Sequence, residues 1–144
     1  MTPQQVAEAV VRKMFENDAA SRALGMQVLE VRPGYARVEM RIRPDMLNGH
    51  AICHGGLIFS LADSAFAFAC NTCNFVTVAA SCSIEFLAPV YLNDVLTSEA
   101  VERIVKGRTG IYDVSVVNHK EEQVALFRGR CHRSREQVIS VSGC

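Results

Sequence analysis

From Gly55 to Cys70 the chain reads GGLIFSLADSAFAFAC, apolar on nearly every side, with Asp63 as its one charged side chain. A helix that is hydrophobic all round is normally buried, and a buried carboxylate without a partner is costly unless its pKa rises. A carboxylate made more basic in this way is a candidate base or nucleophile. Just upstream, NGHAICHGG leads into the start of the same helix. Helix N-terminal amides are unsatisfied and carry partial positive charge, so Gly55 or Gly56 is suited to hold a developing oxyanion. Glycine also lets a carbonyl approach the backbone closely. Ser60 and Ser64 fall within a turn of Asp63 and could orient the carboxylate or a water, although back-bonding to the helix is the commoner fate of a helical serine.

Each of these residues also has a plainer reading. Asp63 could pair with an arginine from a neighbouring strand, His54 could cap the helix start, and Asn48 could be an ordinary turn residue. Gly55 and Gly56 could serve close packing alone. Phe59, Phe66 and Phe68 suit the core, with one or two free to line an acyl pocket. The cysteines, Cys53, Cys70, Cys73, Cys82, Cys131 and Cys144, are even in number, but a chain of this size and apolar content does not need disulfide staples. A reactive Cys-x-x-Cys gains its thiolate at a helix N-terminus; Cys70 and Cys73 fall at the other end, where the dipole disfavours an anion. His50, Cys53 and His54 lack a fourth ligand at usable spacing for zinc, so no metal is expected.

The 144 residues fit one domain with a real core. Fifteen basic and fifteen acidic side chains cancel, which argues against charge-driven nucleic-acid binding. Asp63 interrupts the longest apolar run before it reaches membrane-spanning length. The first residues, MTPQQVAEAVVRKMFEND, contain no signal-peptide core, and a cytoplasmic location without membrane partners is expected.

The elements that must position the chemistry follow from periodicity. Val6, Val10, Val11 and Met14 after Thr2-Pro3 predict an amphipathic helix over residues 1–18. Met26 to Val31 reads as a strand closed by Pro33-Gly34. Tyr35 to Arg43 alternates Ala36, Val38, Met40 and Ile42 with charged residues, the pattern of a half-buried antiparallel strand. A polar loop over 45–54 precedes the apolar helix over 55–71. Phe75 to Leu87, Val95 to Lys106, Thr109 to Asn118 and Gln123 to Arg135 read as further strands, and the tail over 137–144 as flexible. Several antiparallel strands with one long apolar helix make an α+β domain over 1–136. A helix with no polar face requires the sheet to curve around it, a second subunit to cover it, or both.

NGHAICHGGLIFSLADSAFAFACN, followed by SCSIEFLAPV, resembles the hotdog-fold acyl-CoA thioesterases, most closely the PaaI subfamily linked to phenylacetic acid degradation. The HGG-x-x-x-x-L-A-D core carries the likeness, which extends from the first strand to the last. It implies a curved antiparallel sheet wrapped around a central helix, homodimers, and tetramers built as dimers of dimers. It implies Gly55 as the oxyanion-hole amide, Asp63 as base or nucleophile, and Asn48 as a group placing the carbonyl or the water. His54 and Ser81 become supporting polar groups, with Ser64 an additional candidate. The implied substrate is an aryl-acetyl-CoA such as phenylacetyl-CoA or its ring-hydroxylated forms, with CoA part of the substrate and no separate cofactor.

Thioester hydrolysis needs an oxyanion donor and an activating carboxylate, which these residues supply. For the CoA phosphates, cationic donors are needed at the pocket mouth. Arg103, Lys106, Arg108, Arg128 and Arg130 are candidates, although strand-edge charges also deter aggregation. The resemblance places nucleotide contacts near Lys106 to Ile111, which adds Thr109. Other readings are a short- or medium-chain or other aryl acyl-CoA thioesterase, a noncatalytic acyl-CoA-binding hotdog protein, and a hotdog dehydratase, whose histidine and carboxylate follow a different arrangement.

Overall fold

Ala36, Val38, Met40 and Ile42 are completely buried while Arg41 is exposed, so the alternation seen in the sequence fixes which face of that strand meets the core. The structure, a computed structural model, describes residues 1–141. Its helices are α1 (Pro3–Glu16), α2 (Ala19–Ala23) and α3 (Gly55–Asn71). Its strands are β1 (Gln27–Arg32), β2 (Tyr35–Arg41), β3 (Thr77–Phe86), β4 (Val95–Lys106), β5 (Thr109–Val117) and β6 (Gln123–Arg133). They form one six-stranded sheet in the order β1-β2-β4-β5-β6-β3, antiparallel throughout. Register shifts between Glu102 and Ile104 and between Ala79 and Ser81 interrupt the ladder; such bulges increase local twist and bend the strand. The sheet packs around α3, which touches β2, β3, β4, β5 and β6. This is the α+β hotdog architecture.

Leu61, Ala62, Ala65, Phe66, Phe68 and Ala69 bury α3 against the sheet. At Gly129 on β6 the Phe66 ring comes so close that an added Cβ would lie 2.6 Å from it. Gly129→Ala is therefore expected to destabilise the protein by about 1–3 kcal/mol, the usual cost of overpacking a core. Urea unfolding checks this, and an unchanged midpoint would show that the ring yields freely.

The helix is not wholly enclosed by its own chain. Gly56, Ser60, Asp63 and Ala67, three or four residues apart and so on one stripe, retain exposure. Against that stripe leans α2, which the periodicity did not predict: the N-terminal helix stops at Glu16 instead of running to Asp18, and Asp18 instead caps α2 by accepting the Ser21 N–H. Part of the tail makes hydrogen bonds back to the end of the central helix region. Asn74 Oδ1 accepts the amides of Val138 and Ile139, and its Nδ2 donates to the carbonyls of Ile139 and Val141. Ser142, Gly143 and Cys144 lie outside the described residues.

The sheet ends in β1 on one side and in the longer β3 on the other. Among the described residues β3 pairs with β6 alone, and Val78, Phe86 and the adjacent Leu87 are more than half exposed there.

Candidate active site

Pro44 ends the reach of β2, and the chain turns through a single 3-10 turn, Pro44–Met46, into the loop before α3. A bridge between Leu47 and Cys53 pinches that loop shut. Asn48 holds its interior: Oδ1 accepts the His50 N–H at 2.9 Å and the Ile52 N–H at 3.4 Å. The turn role and a ligand role are compatible, because Nδ2 makes no hydrogen bond among the described residues and Asn48 lines a cleft of about 390 Å³. Gly55, Ile58, Phe86 and Pro89 line the same cleft.

At the start of α3, His54 Nδ1 accepts the Gly56 N–H at 3.0 Å. This is the capping role considered for His54, and it makes the two candidate amides differ. Gly56 is occupied, whereas the Gly55 N–H has no partner among the described residues. The Phe86 ring sits 3.2 Å from where a Gly55 Cβ would be, so an apolar wall flanks that donor.

Asp63, two turns along, lines a different cavity. This one is about 210 Å³, between α2 and α3, and Asp18, Ser21, Ser60 and Ser64 also border it. Asp63 has neither an ion pair nor a hydrogen bond among the described residues, which removes the buried Arg–Asp reading. Burial, followed by the charge of Asp18, raises its pKa above the ordinary aspartate value. The two nearby serines differ: Ser60 bonds back to the Gly56 carbonyl at 2.9 Å, whereas Ser64 bonds instead to Ser21 Oγ at 2.7 Å. Ser21 and Asp18 could not be singled out from spacing, since the contact joins residues 43 apart.

Ser81 is exposed on β3 and opposes Arg130 across the β3–β6 ladder. With Cys82, Ser83, Ile111, Arg128 and Arg130 it borders a third cleft of about 360 Å³. Arg128 donates to both Asp113 oxygens, at 2.6 and 2.8 Å, and Arg103 approaches the same carboxylate at 3.2 Å. The bond from Arg128 holds the Asp113 carboxyl below its usual value. Lys106, Arg108 and Thr109 form the β4–β5 hairpin tip, where Lys106 pairs with Thr109. Thr109 opposes His132 while Asp113 opposes Arg128, so at about 3.4 Å per residue Arg128 lies roughly 14 Å along the sheet from that tip.

Cys53, Cys70, Cys82 and Cys131 are free thiols, so Cys70 and Cys73 do not bridge each other. Among the described residues, no helix is long and apolar enough to cross a membrane.

Within one chain, then, the site residues divide. Asn48 and Gly55 share one cleft, Asp63 and Ser64 a second, Ser81 and Arg128 a third. Gly55 and Asp63 lie eight positions apart along one helix, or about 12 Å at 1.5 Å rise per residue.

Comparison with known proteins adds the following. Residues 50–125 match the Thioesterase superfamily. The chain is 48% identical to the acyl-coenzyme A thioesterase PaaI of Escherichia coli K12 over 120 residues, covering 83% of this chain and 86% of that one. It is 37% identical to a putative esterase of Archaeoglobus fulgidus, covering 96% of this chain and 90% of the relative. The solved structure of E. coli PaaI, from the phenylacetic acid degradation operon, superposes with a TM-score of 0.92 at 43% identity, over 94% of this chain and 99% of that one.

Proposed function

Because the chain belongs to the thioesterase superfamily and is a thioester hydrolase of hotdog fold, we propose that it hydrolyses aryl-acetyl-CoA thioesters to the free acid and CoA. In this reading the Gly55 amide holds the thioester oxyanion, with Asn48 Nδ2 beside it. Asp63 is the base or nucleophile, and His54, Ser64 and Ser81 are supporting polar groups. The observation that carries it is Asp63: an unpaired carboxylate on an apolar helix costs stability and is explained by chemistry, not packing.

The division of residues between clefts bears on how such a site is assembled. Donor and carboxylate must both come within about 3 Å of one carbonyl, or one water further. An aspartate side chain cannot cross about 12 Å along its own helix. Each site is therefore made by two protomers, Gly55 and Asn48 of one working with Asp63 of the other, on helices that lie side by side and oppositely directed. The free edge of β3 and exposed Val78, Phe86 and Leu87 favour a second copy of the chain as cover, since a long apolar edge left open invites aggregation. Such dimers would pair further into a tetramer. Lys106, Arg108, Thr109 and Arg128 are the proposed contacts for CoA, with Arg128 required to share its charge with Asp113.

The apolar wall that Ile58, Phe86, Leu87, Ala88 and Pro89 give the cleft at Gly55 suits a flat ring better than a long chain. Phenylacetyl-CoA and its ring-hydroxylated forms are expected to show a higher kcat/KM than palmitoyl-CoA when free thiol release is followed for each. A preference for palmitoyl-CoA over every aryl-acetyl thioester would overturn the substrate assignment and leave the hydrolase standing.

A further inference from the structure

Three groups in a row run from α2 to the stripe of α3 that carries Asp63. Asp18 Oδ1 accepts the Ser21 N–H at 2.9 Å and Oδ2 accepts the Ser21 hydroxyl at 2.6 Å. Ser21 Oγ and Ser64 Oγ are 2.7 Å apart. Ser21 is only 2% exposed, so the middle link of this chain is shielded from competing water.

The direction of the chain follows from what each group can do. A carboxylate only accepts, and a hydroxyl has one hydrogen to give and two lone pairs to receive. The Ser21 hydrogen is committed to Asp18, so the Ser64 hydrogen must go to Ser21. Bonding to a charged acceptor also polarises Ser21 and makes its oxygen the better acceptor. Ser64 is thereby left with no hydrogen to donate. It presents lone pairs toward the cavity it borders with Asp63, and it differs in this from Ser60, whose hydrogen returns to the helix backbone.

We propose that Asp18 and Ser21 are positioning residues for the hydrolysis: by fixing Ser64 as an acceptor, they orient the water that Asp63 activates. The proposal rests on the reading of Asp63 as base given above. Two acceptors side by side take both hydrogens of one water, and the oxygen lone pair is left pointing away from them, toward the thioester. The water oxygen then bonds to the carbonyl carbon as one of its protons passes to Asp63. The C–S bond breaks, the sulfur departs with that proton, and acyl-CoA plus water has become free acid and CoA thiol.

The test is a double-mutant cycle in kcat and KM with phenylacetyl-CoA, on the pH plateau of the unmodified enzyme. It uses Ser21→Ala, Ser64→Ala, the double variant, Ser21→Thr and Asp18→Asn, each checked for cooperative unfolding. Ser21→Ala is expected to lower kcat about tenfold, the effect of one lost orienting hydrogen bond, with KM unchanged. The double variant should match Ser64→Ala, because the two serines act through one path. Ser21→Thr, which keeps the hydroxyl, should return kcat to within about twofold of the unmodified enzyme. Asp18→Asn keeps an equally good helix cap but offers a donor that reverses the chain, so its kcat should fall as well. If Ser21→Ala does not fold, Asp18→Asn decides. A folded Ser21→Ala or Asp18→Asn with kcat within about twofold of unmodified, or serine effects that multiply, would overturn the proposal. Full turnover by Asp63→Asn, run alongside, would instead remove the underlying assignment of Asp63.

Discussion

Asp63→Asn is expected to lower kcat by about 10²–10⁴-fold, the contribution of a positioned base, in a protein that folds at least as stably as the original. The second half of that expectation follows from the sign of the pKa shift. Burial and the Asp18 charge raise the Asp63 pKa in the fold, so between the unfolded and folded values the native state binds more protons than the unfolded one. Stability then falls as pH rises through that window, and above it the ionised carboxylate is a standing cost. The neutral amide removes that cost. The same shift places the acid limb of kcat/KM above the ordinary aspartate range, because activity is lost as pH falls through the raised pKa and the base is protonated. Urea midpoints and a pH–rate profile check both statements. A folded Asp63→Asn enzyme with near-normal turnover would exclude the residue from the mechanism.

Mixing two inactive variants is expected to restore activity. One carries Asp63→Asn; the other carries Asn48→Ala together with Gly55→Val. In a mixed dimer, one interface brings the intact Gly55 and Asn48 of the first protomer to the intact Asp63 of the second, and the other interface holds only defective groups. Random pairing makes half the dimers mixed, each with one working site of two, so activity should return to about a quarter of normal. Verified mixed dimers as inactive as both parents would show that each site is built within one chain.

The strands were legible because their apolar residues alternate. Leu96, Ser98 and Ala100 point inward on β4 as Tyr112, Val114 and Val116 do on β5, and the turn at Gly107 joins them with a positive φ of 60°. The central helix was legible for the opposite reason, since nothing interrupts its apolar run except Asp63. What the sequence does not carry is pairing. That β3 crosses over to lie beside β6 depends on the curvature of the whole sheet, so the exposed edge could not be located in advance. The short α2 has no apolar period, and its only sign was Asp18 three residues before Ser21. Likewise Asn48, Gly55 and Asp63 stand out by residue type and spacing, whereas the link from Ser21 to Ser64 exists only once two distant helices touch. The hydrogen bonds from Asn74 to residues 138–141 escaped for the same reason: an Asn in a polar stretch gives no sign of what it will hold.

The bond at the start of α3 has a consequence for proton inventory. Because His54 Nδ1 accepts the Gly56 N–H, the neutral imidazole must carry its hydrogen on Nε2. That tautomer faces the exterior as a donor, with no lone pair left to abstract a proton. The Nδ1 lone pair is committed to the first turn of the helix, where it holds the Gly56 amide. His54 can therefore lend a hydrogen bond to an incoming oxygen, but it cannot serve as a base without loosening the backbone next to it.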